Sequence, residues 1–103
     1  LKPDSATAFR IKGQIFLEKE DAPGAAAQFN QAVKLNPNDP KALSGYARAM
    51  ALQKKNLSIA LSFAKKSLDL EPENEQYKQN LKEIQNIHGQ IEESNQNSAI
   101  KSA

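Results

Sequence analysis

The sequence of 103 residues contains no cysteine and no tryptophan, and it has only four glycines and five prolines. Without thiols the chain cannot form disulfide bonds, thiolate nucleophiles or cysteine-based metal sites. Aromatic residues make up 6% of the chain, and β-branched residues are also sparse. The residues that dominate instead are Ala, Leu, Lys, Gln and Glu, which all favour helices. The composition therefore predicts an all-α fold.

Charge and hydrophobic patterning exclude two further classes of partner. The formal net charge is +2, and no dense basic stripe with interleaved aromatic residues occurs, so nucleic-acid binding is not expected. No apolar run approaches the roughly 18 residues that span a bilayer, so membrane insertion is not expected either. The first residues, 1–5, show no signal-peptide pattern, which leaves a cytoplasmic location as the default and the compartment unknown.

An internal repeat organises the chain. Residues 25–37 align with residues 60–72, and both Ala25 to Ala60 and Pro37 to Pro72 are separations of 35 residues. The preceding halves align with a shift of 34, which pairs Phe9 with Leu43. The extra residue must therefore fall between the halves, in 54–56. Insertions are tolerated in turns, so each repeat is predicted to be a helix–turn–helix unit.

The aligned residues resemble the tetratricopeptide repeat, whose period is about 34 residues. The first unit carries the family pattern at Phe9, Gly13, Phe16, Ala25, Phe29, Ala32 and Pro37. The second is looser, with Phe63 displaced by one place, and matches at Leu43, Tyr46, Ala47, Met50, Ala60, Ala64 and Pro72. The resemblance implies a right-handed α-α superhelix of two repeats plus a C-terminal capping helix.

Helix-breaking Pro residues and helix-capping Asp and Asn residues predict five helices, at about 5–19, 23–35, 40–54, 57–70 and 75–91. The domain is predicted to cover 1–91, with repeat 1 at about 6–39, repeat 2 at about 40–74 and the capping helix at about 75–91. Apolar patterning stops after that, so 92–103 is predicted to be a frayed or disordered tail. Residues 1–3 match the closing residues of a repeat, which predicts that an upstream repeat ends there and that the chain is a fragment of a longer array.

Catalytic constellations are not found in the sequence. His88 is the only histidine and has no cysteine or metal-like carboxylate spacing beside it, so it is interpreted as a partly exposed helix residue. The glycines are too scattered for a phosphate-binding loop, and the serines lack a histidine partner. We expect neither an enzyme, nor a cofactor, nor a metal site.

In the tetratricopeptide-repeat family the first helix of each repeat lines a concave groove that binds peptides or partner proteins. Helical phase then predicts the groove residues as Arg10, Gln14, Leu17, Lys41, Ser44, Arg48, Gln79 and Asn80. The same faces also carry Ala51 on the third helix and Gln76 and Glu83 on the capping helix. Two of them, Arg10 and Arg48, could recognise an acidic or amide-rich extended ligand, or could make only local ion pairs. A clamp for a terminal carboxylate is not implied, because Gly45 stands where that clamp has Asn.

Two functions are therefore expected from the sequence. The first is a protein–protein interaction module that acts as an adaptor or assembly scaffold through its groove. The alternative is structural: the N-terminal edge stacks on other repeats or on a second copy, which would give a homo-oligomer.

Overall fold

The computed structural model describes the backbone of residues 5–102 and the side chains of residues 5–92. Its helices are α1 (Ser5–Glu18), α2 (Ala22–Leu35), α3 (Pro40–Leu52), α4 (Leu57–Leu70) and α5 (Glu75–Ser102). No strand occurs in this part of the chain, and the predicted all-α repeat fold is confirmed. Residues 1–4, which carry the prediction of an upstream repeat, lie outside the described residues.

The helices begin where capping side chains predict that they begin. Asp39 precedes Pro40 and accepts a hydrogen bond at Oδ1 from the Lys41 backbone N–H at 3.0 Å. Asn74 does the same for α5, with its Oδ1 accepting from the Tyr77 backbone N–H at 3.1 Å. Such a bond satisfies a backbone donor that the first helical turn leaves unpaired. Both residues are among the Asp and Asn side chains from which the starts of the helices were predicted.

The two intra-repeat turns share one geometry but differ in length. The first occupies 19–21 and the second 53–56, so the extra residue lies in the predicted turn. Glu20 and Lys54 hold equivalent positions with φ angles of 61° and 56°, in the left-handed region that favours glycine. In the first turn the Asp21 N–H donates to the Phe16 carbonyl at 2.8 Å, a Schellman-type end, and the second turn repeats the pattern.

Helix contacts arrange the chain in two layers. Each helix packs on the next, and α3 additionally contacts α1 and α5. The first helices of the units, α1, α3 and α5, therefore form one layer, while α2 and α4 form the other. α3 lies at the centre and contacts all four of the remaining helices.

The first repeat packs around one aromatic ring. Phe29 of α2 is almost fully buried where α1, α2 and α3 meet. A Cβ placed on Gly13 would lie 2.9 Å from three atoms of this ring, and one placed on Gly45 would lie 2.5 Å from Phe29 Cε1. Both glycines are therefore required for the close approach of their helices to the ring.

The second repeat fills the equivalent position differently. Ala64 stands 35 residues after Phe29 and is fully buried in a cluster with Met50 and Ile84. The displaced Phe63 packs instead against Tyr46, with ring centroids 5.4 Å apart. Tyr46 contacts the cores of both repeats, so it joins the two clusters.

Helix α5 continues to Ser102, beyond the end predicted near residue 91. The apolar stripe of a helix indicates where the helix packs, but it does not indicate where the helix ends. No proline follows Gly89 to break the helix. Polar helix formers such as Glu, Gln and Lys can extend it without a packing partner. The side chains of 93–103 lie outside the described residues, so the frayed tail at 92–103 and the domain boundaries drawn from it stay predictions.

Candidate binding groove

A groove with a volume of about 820 Å³ lies along the layer formed by α1, α3 and α5. All of the groove residues predicted from the sequence line it: Arg10, Gln14, Leu17, Lys41, Ser44, Arg48, Gln79 and Asn80. They come together because α1, α3 and α5 stack side by side and present equivalent helical faces. Whether they bind a partner stays a prediction.

The two arginines of the groove are already paired within the protein. Arg48 Nη1 donates a hydrogen bond to Glu83 Oε2 at 3.3 Å, which links α3 to α5 across the groove, and both side chains are about half exposed. Arg10 Nε lies 3.2 Å from Asp39 Oδ2, with both side chains largely buried. That nitrogen makes no hydrogen bond, so the second pair is an electrostatic contact. Both arginines therefore make ion pairs, each with a carboxylate that is distant in the sequence, and whether they also recognise a ligand stays a prediction.

Asn80 and Ser44 both line the groove and are hydrogen-bonded to each other. Asn80 is 6% exposed, and its Nδ2 donates to the Ser44 carbonyl at 3.3 Å and to the Ser44 hydroxyl at 3.1 Å. A buried amide is costly unless it is hydrogen-bonded, so these contacts hold α5 against α3. Two of the predicted binding residues thus also have a structural role.

Several lining residues are absent from the predicted set. They are Glu18, Phe29, Gly45, Glu71, Asn74 and Tyr77, whereas Gln76 and Glu83 line the groove on the face predicted for them and Ala51 is buried instead. Helical spacing could have found Glu18, because it follows Gln14 by one helical turn. Glu71 and Asn74 lie in the turn before α5, for which helical phase makes no prediction.

One end of the groove holds a titratable group in an unusual environment. Burial raises the pKa of Tyr77 above its ordinary value, and the negative charges of Glu71 and Asp39 raise it further, while Arg10 opposes them. A tyrosine is already protonated at neutral pH, and the raised pKa extends this state to more alkaline solution, so Tyr77 presents a neutral hydroxyl group at the groove.

Outside the groove, His88 Nε2 lies 3.6 Å from Glu92 Oε1 on the same helix. The two residues are one helical turn apart, with His88 partly buried and Glu92 exposed. Among the residues that the structure describes, no group of three or more His, Cys, Asp or Glu side chains could hold a metal ion. In the same part of the chain, no helix combines the length and apolar character that crossing a bilayer requires.

Paired helices in two layers, with a groove along the first helices, define a helical-repeat protein. The family model described as tetratricopeptide repeat matches residues 2–40 and 12–75. The chain therefore belongs to the tetratricopeptide-repeat family. No curated protein matches the chain. Members of this family generally mediate protein–protein interaction and are typically not catalytic.

Proposed function

We propose that this domain binds an extended segment of a partner protein in the groove along α1, α3 and α5, and that it acts as an adaptor or assembly scaffold. The observation that carries the proposal is the groove itself. It runs across three helices, and its volume of about 820 Å³ is in the range of pockets that hold drug-sized ligands, which leaves room for a few residues of a peptide.

The lining of the groove supports an extended ligand. Hydrogen-bonding side chains dominate, and amide groups occur on α1 and on α5, at Gln14 and Gln76. An amide group offers both donors and an acceptor, which matches the alternating N–H and C=O groups of an extended backbone. A small apolar element comes from Leu17 on α1.

The test uses a charge-neutral change of these two amides. The variant Gln14→Leu/Gln76→Leu keeps side-chain size and helix propensity but removes the hydrogen-bonding groups. The matched control is Gln31→Leu/Gln85→Leu, which changes two exposed glutamines that do not line the groove. Partners are captured from native extract with the parent domain, identified by mass spectrometry, and then titrated with each variant.

We expect the control to bind like the parent and the groove variant to bind about tenfold to thirtyfold more weakly, since each lost hydrogen bond contributes about 1 kcal/mol. Circular dichroism must show equal helix content in all three proteins. Equal affinity of the groove variant and the parent would place the binding surface elsewhere and refute the proposal.

A second candidate is self-association through the N-terminal edge, because Ile11 and Ile15 of α1 are 48% and 44% exposed. They lie one helical turn apart on one face. The residues equivalent to them in α3, at a shift of 34, are Gly45 and Ala49, which pack on α2. The face of α1 that carries Ile11 and Ile15 therefore corresponds to a face of α3 that packs on the preceding helix.

Sedimentation equilibrium separates this candidate from groove binding. If self-association is the function, the mass of the parent rises with concentration, and Ile11→Lys/Ile15→Lys abolishes the rise. Ile59→Lys is the control, because Ile59 on α4 is equally exposed at 49%. A constant monomer mass for the parent would exclude the candidate.

A further inference from the structure

The groove carries no net formal charge. Three basic and three acidic side chains line it: Arg10, Lys41 and Arg48, against Glu18, Glu71 and Glu83. A surface that attracts a charged ligand presents an excess of the opposite sign, which both steers the encounter and selects the partner. This groove has no such excess.

Both arginines of the groove, though not Lys41, are already paired with carboxylates of the same chain. A carboxylate on a ligand would have to displace Glu83 from Arg48, whose Nη1 lies 3.3 Å from Glu83 Oε2. Glu83 belongs to the same molecule and is held on the neighbouring helix, so it competes at a high effective concentration. The displaced carboxylate would then repel the ligand. Arg10 is likewise held by Asp39, which also caps α3.

Neutral side chains are among the hydrogen-bonding groups of the groove that remain unused, beside the oppositely charged Lys41 and Glu18. Gln14 and Gln76 are exposed, and neither side chain makes a hydrogen bond to another described residue. The hydroxyl group of Tyr77 is neutral, as a tyrosine is at neutral pH, and its raised pKa keeps it neutral in more alkaline solution. These groups can bind peptide amides or uncharged polar side chains without separating an ion pair.

We propose that the groove selects an extended partner segment without net charge, and that Glu83 sets this selectivity by neutralising Arg48. The inference rests on the proposed function, because it concerns the ligand of the same groove. It assigns Glu83 the role of a specificity-determining residue, and it predicts that removing this one carboxylate creates a preference for acidic ligands.

The experiment measures fluorescence anisotropy of short labelled peptides that are acetylated and amidated at their ends. Three pools share a Ser, Asn, Gln and Leu background and are uncharged, glutamate-bearing or lysine-bearing. The proteins are the parent, Glu83→Gln, and the control Glu73→Gln, which removes an exposed carboxylate that does not line the groove. The groove variant Gln14→Leu/Gln76→Leu is included.

We expect the parent to bind the uncharged pool best, with an affinity that changes less than about twofold between low salt and about 0.5 M NaCl. Glu83→Gln should improve binding of the glutamate-bearing pool by about threefold to tenfold, because Arg48 becomes free for a charge-assisted hydrogen bond. Glu73→Gln should leave the order of the pools unchanged.

A parent that prefers either charged pool, or a Glu83→Gln protein that behaves like Glu73→Gln, would overturn the charge inference. If the groove variant still weakens binding in that case, the proposed groove function survives. Pools that bind the parent and the groove variant equally would refute the groove itself. If no peptide pool binds the parent, the result counts against both the charge inference and the proposed groove function.

Discussion

The packing of Phe29 between two glycines gives the sharpest stability prediction. Gly45→Ala adds a Cβ that would lie 2.5 Å from Phe29 Cε1, well inside van der Waals contact. The ring cannot move away freely, because it is almost fully buried and a Cβ on Gly13 of α1 would also lie within 2.9 Å of it. Either α3 must shift outward or the ring must leave its rotamer.

Two opposing terms decide the sign of the change. Replacing glycine by alanine inside a helix contributes about 1 kcal/mol of stability. Overpacking a buried ring costs about 1–3 kcal/mol. We therefore expect Gly45→Ala to lower the free energy of unfolding by about 1 kcal/mol. Gly89→Ala is the matched control, because nothing lies within 4 Å of its added Cβ, and it should raise that free energy by about 1 kcal/mol.

Urea unfolding followed by circular dichroism measures both changes, and the difference between the variants isolates the overpacking term. In thermal melts each kcal/mol corresponds to about 4–8 °C in Tm for a domain of this size. Phe29→Leu placed on the Gly45→Ala background should recover part of the loss, because the shorter side chain leaves space. If Gly45→Ala gains as much stability as Gly89→Ala, the close packing of Phe29 on α3 is refuted.

Two further predictions concern the turns and the buried phenol. Glu20→Gly and Lys54→Gly should each stabilise the fold by about 0.5 kcal/mol, because glycine relieves the left-handed backbone at both positions. Lys55→Gly, at a residue without positive φ, should destabilise it in the same urea titrations, and a loss at all three sites would contradict the reasoning. Folding raises the pKa of Tyr77, so its contribution to stability is full below about pH 10 and is lost as pH rises through the higher folded value. Tyr77→Phe should therefore reduce the alkaline loss of unfolding free energy, and an unchanged pH profile would sink this assignment.

The helices were predictable because local chemistry marks their ends. The pairs Asn36–Pro37 and Glu71–Pro72 interrupt the apolar periodicity at equivalent places, and α4 runs over the predicted 57–70. The groove lining was predictable for a related reason. Helical phase decides which face of α1, α3 and α5 packs on the second layer, and the neighbouring face is then left to line the groove.

The ion pairs were not predictable from the same pattern. Arg48 meets Glu83 only because α5 packs beside α3, and the sequence separation between the two residues carries no local signal. The requirement for glycine at position 45 was not predictable either, because it depends on where the Phe29 ring lies in the folded chain. The length of α5 escaped prediction because polar residues continue a helix without marking it by an apolar stripe.

Tyr46 has a consequence for how the domain opens. Its side chain belongs to the cores of both repeats, so loosening one repeat removes packing from the other. In repeat proteins such nearest-neighbour interactions determine whether units unfold one by one or together. Here the shared ring couples them, and it lies on α3, the central helix of the groove. Partial unfolding that began at either end would therefore disturb the middle of the binding surface, so we expect the groove to be lost in one cooperative step.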